Sequence, residues 1–249
     1  MIKPEKKVVI FSFNGTLVPN GGVLDAEMAE LLTKLLVERK VVIISGCGFP
    51  KIETQFLNSF RTNANILTNL LILPSSASKM LTWKGAWTEV YTEHIAAKSK
   101  EEIFVSLNTA LRKLGWSMPE KTFGSVIQDR GTQITFSGLG ENAPTELKEK
   151  WDRERIFRSK IVEELKSKLP NYDVRIGGLT SVDITKRGVN KGYGIRKVEE
   201  YLKVGPESLI FIGDAIFSGG NDFPVKASGI DCIQVHSPDE TKQLLSTAF

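Results

Sequence analysis

Cysteine and histidine are scarce in this chain, and that scarcity removes several chemistries at once. Its 249 residues include two cysteines, Cys47 and Cys232, and two histidines. Two thiols supply neither a disulfide framework nor a metal cluster, and both lie in apolar or glycine-rich contexts that read as buried reduced thiols. His94 and His236 have no triad-like support. No apolar run approaches the ~20 residues of a membrane span. The opening MIKPEKKVVIF enters a strand-like segment with no long apolar signal core, so a cytoplasmic protein without a membrane partner is expected. Charge is not massed either. Lys and Arg number 33 against 29 Asp and Glu, a net charge of +4 scattered along the chain. That pattern disfavours nucleic acid and leaves room for a small acidic ligand. There is no internal repeat, no G-x-x-x-x-G-K-[ST], and Gly46-Cys47-Gly48 lacks the third glycine of a dinucleotide fingerprint.

What is present is a patterned globular chain, 41% hydrophobic and long enough for one large domain or two small ones. Lys7 to Phe11 is a β-branched run of the kind buried on both faces of a parallel sheet. Met28, Leu31, Leu32, Leu35 and Leu36 then make one helical stripe. Strand patterns recur at 41–44 and 70–73, with a helix start at Pro50 between them. This rhythm predicts a doubly wound, mainly parallel α/β sheet.

The rhythm changes between residues 88 and 187. A helical stripe at Ile103, Leu107, Leu111 and Leu114 is followed by period-2 stretches at 122–128 and 133–137. A second stripe at Phe157, Ile161, Leu165 and Leu169 precedes short strands at 173–176 and 181–184. Helix, hairpin, helix, hairpin predicts an inserted α+β module over 88–187, with residues 1–87 and 188–249 forming the core. The α/β pattern resumes with a helix from Lys191, a strand at 209–212 ending in Gly213-Asp214, a strand at 232–235 and a helix capped by Ser237-Pro238-Asp239-Glu240.

Ligands of open α/β sheets sit beyond the carboxyl ends of the strands. Four polar clusters fall there: Ser12–Thr16, Ser45–Gly48, Lys191, and Asp214 with Gly219-Gly220-Asn221-Asp222. Each alone is also ordinary turn chemistry; their joint placement points to a site. FSFNGTL (11–17), ISG (44–46), Lys191 and GDAIFSGGND (213–222) resemble the four ordered motifs of the haloacid dehalogenase (HAD) superfamily. The inserted module resembles that superfamily's type IIB cap. TFSGLG (135–140), RIGGLTSVDI (175–184) and GGND (219–222) are similar to eukaryotic-type phosphomannomutases.

The resemblance implies Mg²⁺-dependent phosphoryl transfer on a sugar phosphate through an aspartyl phosphate. It implies phosphate binding by Ser45, Gly46 and Lys191, and a metal site at Asp214 supported by Asp222 and Asn221. A cation at the positive end of a helix also reads as a solvated lysine, but a phosphate beside it would offset the helix dipole. The first motif departs from the family pattern: the nucleophile position is Ser12 and the acid/base position Asn14. A serine hydroxyl needs an adjacent base, an amide is not one, and no G-x-S-x-G context surrounds Ser12. Losing both carboxylates also leaves a weakened Mg²⁺ site, binding the ion less tightly or only together with phosphate.

In the cap the resemblance assigns Arg130 to a distal phosphate and Ser181 with Asp183 to the sugar; Arg130 reads equally as a solvated hairpin-tip arginine. Two further family arginines align with Glu141, which reverses the charge, and Lys148, which keeps it without the bidentate fork. A sugar phosphatase is thereby as open as a mutase. A homodimer through the cap is allowed, and Trp83, Trp87, Trp116 and Trp151 read as packing residues. Three readings follow: a family enzyme in an inactive form, a natural pseudoenzyme that binds phosphosugar or a partner protein, or an interaction protein on an idle scaffold.

Overall fold

The computed structural model describes residues 2–247. They divide into two compact units, one of residues up to Thr92 together with Asn190 onward, the other Glu93–Val189.

The first unit starts with β1 (Val8–Ser12), α1 (Ala26–Glu38), β2 (Lys40–Ile44), α2 (Phe49–Ile52) running into a π-helical turn (Glu53–Leu57), α3 (Ala64–Leu67) and β3 (Leu70–Leu73). A tight turn, α4 (Pro74–Ala77), then leads to β4 (Lys79–Trp83) and β5 (Trp87–Thr92). The second unit holds α5 (Ala97–Lys113), β6 (Ile127–Asp129), β7 (Gln133–Ser137), α6 (Thr145–Lys150), α7 (Ile156–Lys168), β8 (Tyr172–Ile176) and β9 (Ser181–Lys186). The chain completes the first unit with α8 (Lys191–Leu202), a 3₁₀ turn (Pro206–Ser208), β10 (Leu209–Gly213), α9 (Phe223–Lys226), β11 (Asp231–Gln234) and α10 (Pro238–Ser246).

The seven-stranded sheet has the order β11-β10-β1-β2-β3-β4-β5. Strands β11 through β3 are parallel, and β4 and β5 are added antiparallel. Successive side chains of a strand point to opposite faces, so β1 feeds two cores. Val9 and Phe11 pack with Met28, Leu32, Leu35 and Leu36 of α1, while Val8 and Ile10 pack with Ile195 and Val198 of α8. Asp25 caps α1 by accepting the Met28 N–H at 2.8 Å.

Residues 88–92, placed in the inserted module from sequence, are instead most of β5, a strand of the large sheet. The hairpin β4–β5 escapes a hydrophobic-run reading because β5, WTEVYT, is a half-exposed edge with polar residues at half its positions. Its turn uses Gly85 at φ +82°, and Trp83 meets Trp87 edge-on with ring centroids 5.5 Å apart.

The second unit has the antiparallel sheet β6-β7-β9-β8. Ile134, Phe136, Val174, Val182 and Ile184 form its apolar face against Ile103 and Leu107 of α5 and Ile161 and Leu165 of α7. The strand expected over 122–128 is only β6. Before it, the backbone bonds to the turn after β7: Phe123 N–H to Leu139 O at 3.0 Å and Asn142 N–H to Phe123 O at 2.8 Å. The start of α7 is pinned by a buried pair that sequence patterning does not disclose. Arg158 Nε donates to Asp152 Oδ2 at 2.9 Å, and its Nη1 reaches Gly178 O in the β8–β9 turn at 2.8 Å.

Candidate active site

From β1 the chain proceeds to β2 and β3 on one side, whereas β10 and β11 lie on the other. The order therefore reverses between β1 and β10, where α/β sheets open a crevice at their carboxyl ends. Ser12 ends β1 level with Ile44 of β2, and Asp214 follows β10. Lys191, the first residue of α8, donates to Ser12 Oγ at 2.9 Å and forms an ion pair with Asp222. The pair is buried, at 3% and 0% side-chain exposure. Asp222 turns its other oxygen to the Ala215 N–H at 3.0 Å, and Gly213 makes the space: a Cβ there would fall 2.6 Å from that oxygen. The helix-start cation thus has its compensating charge within the protein. The phosphate neighbour invoked from sequence is not needed to explain it.

Asn14 donates through Nδ2 to Cys47 Sγ at 3.3 Å, while its Oδ1 is buried without a hydrogen-bond partner. Between Ser12 and Val18 the chain makes a tight turn, with Leu17 N–H bonded to Phe13 O and Gly15 N–H to Val18 O, both 2.8 Å. Gly15 is required twice, by its φ of +82° and because a Cβ would stand 2.6 Å from Asp214 Oδ2. Thr16 fixes that carboxylate by donating to Oδ1 at 3.1 Å. Burial pushes the Asp214 carboxyl above its ordinary range and the Asp222 charge adds to this, while Lys191 and Thr16 pull back.

Ser45 follows β2 and accepts the Cys47 N–H at 3.0 Å through Oγ. Its loop is braced by a feature absent from the sequence reading. Ser75, Ser76 and Ala77 are all left-handed, with φ of 51°, 59° and 64°. Ser75 N–H donates to Cys47 O at 2.8 Å and Ser76 N–H to Ser45 O at 2.7 Å. Tyr91 of β5 donates to Ala77 O at 2.7 Å, and Gly194 of α8 gives Ala77 room.

These positions are a poor fit to a magnesium ion. Among the described residues no three His, Cys, Asp or Glu side chains are grouped as a metal site. Asp214 is one carboxylate. Asp222, assigned to the metal from sequence, has both oxygens on protein donors, and Asn221 precedes it, part-buried. Ser12 Oγ already faces an ammonium. A hard dication keeping near-ideal octahedral oxygen geometry finds too little anionic charge here, so the residues present do not fit a resident Mg²⁺.

In the second unit, register places Gln128, Thr135, Asp183 and Arg175 in one row across the polar face. Asp183 accepts from Thr135 Oγ1 at 2.9 Å. Burial pushes its carboxyl up, against the pull of Arg130, Thr135 and Arg175. Ser181 lies two residues along the same face. A Cβ on Gly177 would come within 2.4 Å of Ser181 Oγ and 2.6 Å of Asp183 Oδ2, so glycine leaves both groups uncovered there. Arg130 donates to Gln128 Oε1 at 2.5 Å, Gln128 bonds in turn to Glu141, and Lys148 donates to Glu141 O at 2.8 Å. Arg175 pairs with Asp173.

The family model "Eukaryotic phosphomannomutase" matches residues 28–249. The chain belongs to the eukaryotic phosphomannomutase family. It is 30% identical to a Saccharomyces cerevisiae phosphomannomutase, across 99% of this chain and 95% of the relative, and 30% identical to one from Schizosaccharomyces pombe, across 88% and 85%. The fold is that of a haloacid dehalogenase-like hydrolase from Bacteroides thetaiotaomicron (TM-score 0.64, 15% identity, 98% of this chain and 99% of that one). An IMP-bound Plasmodium falciparum IMP-nucleotidase shares it (TM-score 0.70, 18% identity, 97% and 67%). The family match starts after the segment carrying Ser12 and Asn14. Within this phosphomannomutase family member, Ser12, Lys191, Asp214 and Asp222 converge at the strand ends, and Arg130, Ser181 and Asp183 share the polar face of the smaller sheet. Thr16, the end of the Ser12–Thr16 cluster, joins the first group through Asp214, and the Ser75–Ala77 turn joins it with no signal in the sequence.

Proposed function

We propose that this chain binds a hexose phosphate at Lys191, Ser12 and Ser45 and has lost most or all of its phosphoryl transfer. The hydrogen bond from Lys191 to Ser12 carries the reading. Attack by Ser12 Oγ on phosphorus requires that its proton leave, and the neighbouring nitrogen is an ammonium paired with Asp222, a donor rather than a base. Asn14, turned toward Cys47, takes no proton. What remains is binding chemistry. Ser12 accepts from Lys191 and so keeps its own O–H to offer a phosphate oxygen, beside the positive charge. Titration of a hexose monophosphate into the full chain is expected to give saturable heat, with phosphate release at the no-enzyme rate. Rapid release by protein free of contaminating phosphatase would overturn the reading.

Glu141 disfavours phosphate on the polar face of the smaller sheet. Its carboxylate anchors the Gln128–Arg130 chain where the resemblance expects an arginine, so a phosphate approaching Arg130 would meet negative charge. Glu141→Arg is expected to tighten inorganic phosphate binding beside Arg130 about tenfold, the worth of one charge-assisted hydrogen bond. A phosphate titration followed by NMR at Arg130 that gives the same affinity in the variant would remove Glu141 from ligand selection.

A further inference from the structure

We propose that anions bind beside Lys191 and Ser12 without a divalent cation, and that Asp214 opposes them. The inference rests on the phosphosugar-binding reading above and adds the sign of one residue's contribution. In a cation-bridged phosphate site each carboxylate helps the anion, because the metal converts its negative charge into attraction. Three observations remove that conversion here. The Lys191 ammonium stands 2.9 Å from Ser12 Oγ and presents N–H donors to an anion directly, even with Asp222 offsetting its charge. Asp222, the second carboxylate here, is taken up by Lys191 and the Ala215 N–H. Asn14 is neutral, with its amide turned to Cys47.

Asp214 is left as a lone carboxylate, near enough to Lys191 and Asp222 to interact with both. It cannot swing aside: Thr16 holds Oδ1 at 3.1 Å, and the missing Cβ of Gly15 is the space Oδ2 occupies. An incoming phosphate therefore feels Lys191, partly offset by Asp222, as attraction and Asp214 as fixed repulsion, and with Lys191 buried and Asp214 half-buried such terms are weakly screened.

The decisive experiment is calorimetry on the full chain with inorganic phosphate and with glucose 6-phosphate, in EDTA and in excess MgCl₂, for the wild type and Asp214→Asn. The substitution keeps an oxygen for Thr16 to donate to and removes only the charge. Affinity for both ligands is expected to be equal within about twofold with and without magnesium, and to rise about tenfold in Asp214→Asn, the scale of one unit charge at intermediate range. Loss of binding in EDTA, or weaker binding by Asp214→Asn, overturns the inference while leaving the phosphosugar reading standing. Absence of heat for both ligands in all conditions sinks that reading and the inference together. Should Asp214→Asn fail to fold, the EDTA comparison on the wild type decides alone.

Discussion

Ser12→Asp combined with Asn14→Asp is expected to raise hydrolysis of hexose phosphates in the presence of magnesium by about 10³-fold or more, the range over which nucleophile and general acid–base losses act together. The scaffold for both carboxylates stands. Lys191 is 2.9 Å from the side-chain oxygen at position 12, Thr16 and Gly15 hold Asp214, and the Asn14 Oδ1 is buried with no partner, so a near-isosteric carboxylate enters without displacing a bond to that atom. Each single replacement should recover far less, because an attacking group without its proton partner, or the reverse, leaves the step blocked. A second readout is independent of turnover. Two new carboxylates near Asp214 and Asp222 repel one another, so the double variant should melt below the wild type in EDTA and be raised by magnesium, which binds the folded state selectively. A folded double variant that stays inert and indifferent to magnesium would show that more than the first motif has been lost.

The site was only partly legible in the sequence. Ser12, Ser45 and Asp214 read as candidates because polar residues following apolar strand runs fall at the carboxyl edge of a parallel sheet, and Lys191 because it opens a helix of the resumed α/β pattern. Asp222 reads from sequence as support for a metal, whereas its oxygens meet Lys191 and the Ala215 N–H. Its partner Lys191 is 31 residues away, and nothing local distinguishes a carboxylate that neutralises an ammonium from one that binds a metal. The left-handed turn at Ser75–Ala77 left no trace, since neither serine nor alanine favours positive φ. That conformation is imposed by the hydrogen bonds to Ser45 and Cys47 and by the contact with Gly194.

The same division governs the fold. Strands buried on both faces, β1, β2, β3 and β10, are unbroken apolar runs and read directly. The edge strand β5 is half exposed and alternates weakly, so the boundary expected at 87 falls at its first residue rather than after its last, Thr92. The first part of the period-2 stretch, 122–126, is a loop because Gly124, at φ +81°, and the bonds of Phe123 to Leu139 and Asn142 outweigh local strand preference.

The Lys191–Asp222 pair makes the largest stability prediction. Asp222→Ala would strand an ammonium in a site where Lys191 is 3% exposed, and breaking such a buried pair costs about 3–5 kcal/mol. For a chain of this length that corresponds to a fall in Tm of roughly 10 °C. Asp222→Asn should cost less, since an amide oxygen can still accept from Lys191. The double variant Asp222→Ala, Lys191→Met should recover most of the loss, because an apolar side chain of similar length leaves no charge to solvate. That non-additivity separates a charge effect from a cavity left by the missing carboxylate, which Lys191→Met would not repair. A single variant that melts within a degree or two of the wild type would mean that Lys191 finds water when its partner is gone. The buried ammonium, and the donor geometry it imposes on Ser12, would then have to be abandoned.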